Sequence, residues 1–212
     1  PGRVPARVAV AGSGSIGVVA VGSSTGGPQA LATLLGGLPT DFPVPLLIVQ
    51  HLAVGFQSML LRQLDSASQI PVMTAVDGMV MAPGVAYVGP DEMQLGVDRL
   101  GRIELSNGPP EGGLRPAVSY LFRSVRQAYG SRSIGVLLTG MGRDGADEMA
   151  RMHEAGAITI AQDEQSSVVF GMAKEAIALG GATYVRSIVD ITPTILELLR
   201  GQRGSASQDV RP

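Results

Sequence analysis

Residues 17–28 read Gly-Val-Val-Ala-Val-Gly-Ser-Ser-Thr-Gly-Gly-Pro, and this stretch decides the fold. Gly17–Gly22 is an unbroken run of small and β-branched apolar residues, the pattern of a strand buried on both faces. A Ser/Thr/Gly turn ends the run, and Pro28 through Leu35 then reads as a helix with proline at its first position. Strand, tight turn and helix make the repeating unit of a parallel α/β sheet.

The same rhythm recurs outward from this stretch. Pro45–Gln50 is a second strand, and its helix places Phe56, Met59, Leu60 and Leu64 on one face at i, i+3, i+4, i+8. Between Val72 and Leu105 the runs shorten to Val85–Val88, Met93–Val97 and Arg102–Leu105, separated by Pro-Gly, Gly-Pro and Asp. They read as antiparallel hairpins inserted at one edge or end of the sheet. Pro116 then opens a helix with Val118, Leu121, Phe122 and Val125 on one face, followed by the strand Ile134–Thr139. A helix over about Gly145–Ala155, the strand Ala157–Ala161, a helix over Met172–Leu179, a short strand near Tyr184 and a helix over Thr192–Leu199 complete the pattern. The expected class is α/β, a mostly parallel doubly wound sheet flanked by helices, with a small antiparallel hairpin region near one edge. Residues 1–16 are expected to form a tail or linker, 17–200 the folded domain, and the polar 201–212 a disordered C-terminal tail.

Composition narrows the function classes. Sixteen basic against eighteen acidic residues give a net charge of −2, too balanced for a nucleic-acid arm or a polybasic membrane patch. With no cysteine, a thiolate nucleophile, a disulfide framework and Cys-ligated metal are all excluded. Between Arg7 and Asp41 no residue is charged, but that stretch holds eight glycines and its longest apolar run, Val18–Val21, falls far short of the roughly 20 residues a span requires. The chain is therefore expected to be cytoplasmic, with no membrane insertion. Met59, Met79, Met81, Met149 and Met152 read as core filler.

Ligands of open parallel sheets bind outside the carboxyl ends of the strands. Ser24 follows the first strand there, His51 the second, and Asp144 the strand Ile134–Thr139. A hydroxyl, an imidazole and a carboxylate are the three groups that serine acyl transfer needs, and flanking glycines leave backbone N–H groups free to meet an oxyanion. Each residue has a plainer reading: Ser24 as turn chemistry, His51 as a hydrogen-bonded strand end, Asp144 as a helix cap. His153, the other histidine, lies within a helical pattern. Rival motifs are weaker. Gly12-Ser13-Gly14-Ser15-Ile16-Gly17 fits G-x-G-x-x-G but leads into a strand, no lysine follows the Ser24 glycines as in a P-loop, and two histidines without i, i+4 spacing make a poor metal site. No cofactor is expected.

Five segments carry a family resemblance: Val21–Gly27, Val49-Gln50-His51, Ala82–Tyr87, Leu138–Gly145, and Ala161–Glu164 together with Val169–Met172. In that order they resemble the catalytic domain of the chemotaxis protein-glutamate methylesterases, the CheB type. The resemblance implies a serine hydrolase that removes methyl esters from receptor glutamates, and deamidates receptor glutamines, through Ser24, His51 and Asp144. Thr25 and Met141 would shape the oxyanion site. It also implies the helical cytoplasmic region of a methylated receptor as substrate, and a regulatory receiver domain on the same or another chain. A non-catalytic receptor-binding module with a relic site and a small-ester serine esterase are the alternatives. The chain has Leu114-Arg115-Pro116-Ala117-Val118-Ser119 where the family usually has a polar residue followed by Arg-Pro-Ser-Val-Asp. That departure is expected to bear on substrate recognition and not on the three candidate residues.

Overall fold

A computed structural model describes residues 15–206, with side chains to 201. The expected tail over 1–16 lies outside the described residues as far as 14, as does the start of the Gly12–Gly17 motif, and so do residues 207–212. β1 (Val18–Ser23) runs through the centre of a seven-stranded sheet, buried along its whole length. In chain order there follow α1 (Gly27–Gly36), β2 (Leu46–Gln50), α2 (Gln57–Ala67), β3 (Val72–Thr74), β4 (Ala86–Val88), β5 (Gln94–Val97), β6 (Ile103–Ser106) and α3 (Val118–Tyr129). β7 (Ser133–Leu137), α4 (Ala146–Glu154), β8 (Ile158–Gln162), α5 (Met172–Ala178), β9 (Tyr184–Arg186) and α6 (Ile188–Ala206) complete it. The strand order is β3-β4-β2-β1-β7-β8-β9 and every pairing is parallel, while β5 and β6 form a separate antiparallel pair.

Successive strand residues point to opposite faces, which divides the core into two layers. Val19 and Val21 pack with Leu31 and Leu34 of α1, Leu60 of α2 and Ile195 of α6. Val18 and Ala20 pack with Leu121 and Phe122 of α3, Met149 of α4 and Ala173 of α5. Each fully buried Leu or Phe here contributes about 1.5–3 kcal/mol relative to exposure. Among the described residues no helix is long and apolar enough to cross a membrane.

Four local expectations are corrected. The run containing β4 is no hairpin arm: β3 and β4 lie parallel at one edge of the main sheet. The Pro-Gly punctuation between them belongs to a crossover, part of which pairs with β6 through Gly78, Met79 and Val80. On α2 only Leu60 and Leu64 are buried, whereas Phe56 and Met59 are 50% and 52% exposed. Phe56 precedes the helix and Met59 lies in its first turn, ahead of the buried stretch that begins at Leu60. For the same reason Met59 does not serve as core filler, although Met149 and Met152 do. The last helix is longer than Thr192–Leu199 and continues through Gly201 and Gly204 to Ala206, taking in the first six residues of the expected disordered tail; each glycine costs a helix only about 1 kcal/mol.

From β1 the chain winds first toward β2 and the β3 edge, then returns on the other side of β1 as β7, β8 and β9. The order therefore reverses at β1, and the turn carrying Ser24 stands at that switch point.

Candidate active site

Three strand ends build the site. β1 and β2 are in register with Ser23 opposite Gln50, so the next residues, Ser24 and His51, leave neighbouring strands side by side. Such strands lie about 4.8 Å apart. The His51 N–H donates to the Ser23 carbonyl at 3.0 Å, and the Ser24 N–H donates to the Thr139 carbonyl beyond β7 at 3.0 Å. Asp144 ends the loop that follows β7, just before α4.

His51 Nε2 lies 2.9 Å from Asp144 Oδ2, with the two side chains only 11% and 10% exposed. The carboxylate also meets the start of α3: Oδ2 accepts from the Val118 N–H at 2.7 Å, and Oδ1 from the Ser119 N–H at 2.9 Å. Ser119 Oγ donates to Oδ1 at 2.6 Å and accepts from the Gly145 N–H at 2.9 Å. Asp144 thereby caps the positive end of α3 from a distant loop. Burial would push its pKa up, but hydrogen bonds from His51, from the Ser119 hydroxyl and from the Ser119 and Val118 amides outweigh that and hold it below the ordinary carboxylate value. An ionised carboxylate only accepts. Nε2 of His51 must then carry a hydrogen, and in the neutral imidazole that tautomer keeps the lone pair on Nδ1.

Ser24 is half-buried, and its Oγ makes no hydrogen bond to any described residue. The structure thus brings His51 and Asp144 into direct contact and sets Ser24 beside His51 through backbone, with no Ser24–His51 hydrogen bond formed. Active-site hydrogen bonds that are long in the free enzyme commonly tighten when substrate is bound. Gly140 presses against the serine: a Cβ on it would lie 2.7 Å from Ser24 Cβ. The backbone N–H groups of Thr25 and of Met141, which follows Gly140, have no acceptor among the described residues. The Thr25 side chain is exposed and that of Met141 is 76% exposed. His153 lies on α4 beside Thr183, its Nδ1 3.1 Å from Thr183 Oγ1, and takes no part in this cluster. Among the described residues no three His, Cys, Asp or Glu side chains gather as a metal site would need.

Two contributors escaped sequence reasoning. Gln50 is 5% exposed and its amide links the Ser24 and His51 turns; a lone polar residue ending an otherwise apolar strand is the signal that could have found it. Ser119 gave no local signal, because it meets Asp144 from 25 residues away. Its contact overturns the expectation that the Leu114–Ser119 segment bears on substrate recognition alone: Val118 and Ser119 hold the carboxylate directly.

Comparison with known proteins places the chain among relatives of one family. A family model described as CheB methylesterase matches residues 19–195. A protein-glutamate methylesterase/protein-glutamine glutaminase of Nitrosospira multiformis is 50% identical over 187 residues, covering 88% of this chain and 52% of the relative. One from Geobacter metallireducens is 56% identical over 167 residues, covering 78% and 48%. The chain therefore spans about half the length of the curated relatives it matches. Among solved structures, the CheB methylesterase catalytic domain of Thermotoga maritima superposes with a TM-score of 0.84 at 37% identity, covering 87% of this chain and 99% of that one.

Proposed function

The chain belongs to the CheB methylesterase family, and from that premise we propose that it hydrolyses γ-glutamyl methyl esters on chemotaxis receptors, with Ser24 as nucleophile, His51 as general base and acid, and Asp144 as the group that orients His51. The observation that carries this reading is the His51–Asp144 pair, 2.9 Å apart, beside the free hydroxyl of Ser24 at the switch point of the sheet.

Ser24 Oγ attacks the ester carbonyl while its proton passes to His51 Nδ1, and the carbonyl oxygen becomes an oxyanion facing the free N–H groups of Thr25 and Met141. The tetrahedral intermediate collapses by breaking the bond to methoxide, a poor leaving group that takes the proton from the imidazolium and departs as methanol. Water then attacks the acyl-serine, giving its proton to His51. Collapse returns that proton to Ser24 Oγ and releases the glutamyl product as carboxylate and a proton. A glutamine side chain follows the same course with ammonia as the leaving group, in keeping with the double name of the relatives. Asp144, held ionised by four donors, stabilises the imidazolium without taking its proton.

The substrate in this reading is the helical cytoplasmic region of a methylated receptor, and the setting is the cytoplasm. A regulatory receiver domain, on this or another polypeptide, belongs to the same proposal and fits the additional length of the relatives. The test is methanol release from a receptor fragment carrying glutamate methyl esters, together with fluorophosphonate labelling. Wild type releases methanol and is labelled on Ser24, and Ser24→Ala does neither while keeping its unfolding transition. Undiminished turnover by Ser24→Ala would refute the assignment, and turnover of small esters with none of the receptor fragment would favour a general esterase.

A further inference from the structure

The side-chain amide of Gln50 makes three hydrogen bonds across two strands. Nε2 donates to the Ser24 carbonyl at 2.8 Å and to the His51 carbonyl at 2.8 Å, and Oε1 accepts from Ser23 Oγ at 2.7 Å. Both N–H bonds of the amide are used, and each ends on the backbone of a residue assigned above to catalysis. Ser23, which anchors the other end, is fully buried. The chain makes room for this amide: a Cβ at Gly27 would lie 1.8 Å from Gln50 Oε1, so only glycine fits where α1 begins. Without the amide, the Ser24 carbonyl would keep only the Gly27 N–H, at 2.8 Å, which lies within its own turn, and nothing would join it to His51.

From this geometry we infer that Gln50 is a positioning residue that fixes the Ser24 turn against the His51 turn, with Ser23 locking the orientation of its amide. Main-chain bonds alone do not do this. The His51 N–H reaches Ser23 and not Ser24, and the Ser24 N–H is bound on the β7 side. Gln50 is the direct tie between the two residues whose side chains must exchange a proton. The inference deepens the proposed function and rests on it. A misplacement of about 1 Å in such a pair costs up to a hundredfold in rate.

The test uses Gln50→Met, which keeps the length without donors, Gln50→Glu, which keeps the shape but replaces the double donor, and Ser23→Ala, which frees the far end of the amide. Methanol release and fluorophosphonate labelling are measured per folded protein, with thermal unfolding alongside. In the Gln50 variants kcat and the labelling rate are expected to fall about 10- to 100-fold with KM within about twofold, and Ser23→Ala to fall by a smaller factor in the same two quantities. A residue that merely supports the fold would lower the unfolding temperature and leave the folded fraction reacting at the wild-type rate. That outcome, or a loss carried by KM, overturns the inference. A wild type that neither labels nor releases methanol defeats the proposed function instead. The crystal structure of a Gln50 variant then decides the positioning role, since an unchanged Ser24–His51 separation overturns it and a displaced turn supports it.

Discussion

His51 Nε2 and Asp144 Oδ2 are 2.9 Å apart, and the carboxylate that receives this bond accepts from four donors in all, two on each oxygen. Asp144→Asn tests that arrangement because an amide cannot satisfy it in either orientation. Turned one way, its NH2 faces His51 and the Val118 N–H; turned the other, it faces the Ser119 N–H and hydroxyl. The first orientation forces the hydrogen of His51 onto Nδ1, where it blocks proton transfer from Ser24. A fall in kcat of about 10³- to 10⁴-fold is expected. Steady-state kinetics on a methyl-ester substrate check it, and a loss under tenfold would mean that another group orients His51.

The same carboxylate makes stability depend on pH. Its pKa is lower in the folded protein than in the unfolded chain, so in acid the unfolded chain binds more protons. The resulting stability is complete above about pH 5 and is lost as the pH falls through the folded value. Urea unfolding of wild type and Asp144→Asn between pH 6 and 3 should therefore show the wild-type advantage shrinking toward acid. A difference that stays constant or widens would contradict the depressed pKa.

Ser119 joins Asp144 to the backbone of its own loop, giving its hydrogen to Oδ1 and accepting from Gly145 N. Ser119→Ala leaves the two α3 amides on the carboxylate but removes a charge-assisted bond and an acceptor. The expected stability loss is about 1.5–3 kcal/mol, and a transition-state share of about 1.4 kcal/mol would lower kcat tenfold. Ser119→Thr keeps the hydroxyl and should recover most of the rate. Equal rates for alanine and threonine would reduce Ser119 to a packing role.

Much of the fold is legible in residues that answer to one physical demand. Val18–Ser23 must be buried on both faces and is apolar nearly throughout, and the stripe Val118, Leu121, Phe122, Val125 is fully buried as its spacing requires. The placement of Ser24, His51 and Asp144 at strand ends follows from the same pattern, because turn residues stop each strand at the end where ligands bind. The pairing of β4 between β2 and the edge strand β3 was not legible. The Pro-Gly turns between β3 and β4 look alike whether the chain doubles back or crosses over, and only the pairing with β2 decides it. The supports of the site were illegible for a related reason. Gln50 and Ser119 act through contacts 26 and 25 residues away, which local periodicity cannot register.

Gly140 offers a sharper perturbation of the nucleophile than any change to its neighbours' polarity. Its N–H donates to Val169 O, and its own carbonyl accepts from the Gly171 and Met172 amides, so the backbone here is held on both sides. A methyl group at this point would lie 2.4 Å from Met172 Sδ and 2.7 Å from Ser24 Cβ. The methionine is flexible and can move away, as thioether side chains do. The serine turn is bound to Thr139 and Gln50 and cannot move without breaking those bonds. Gly140→Ala should therefore lower kcat by about two orders of magnitude, the scale of a 1 Å displacement, while overpacking costs stability about 1–3 kcal/mol. Fluorophosphonate labelling of Ser24 separates the two effects. A variant that is destabilised but labels at the wild-type rate would show that the Ser24 turn yields to the added methyl without losing its alignment.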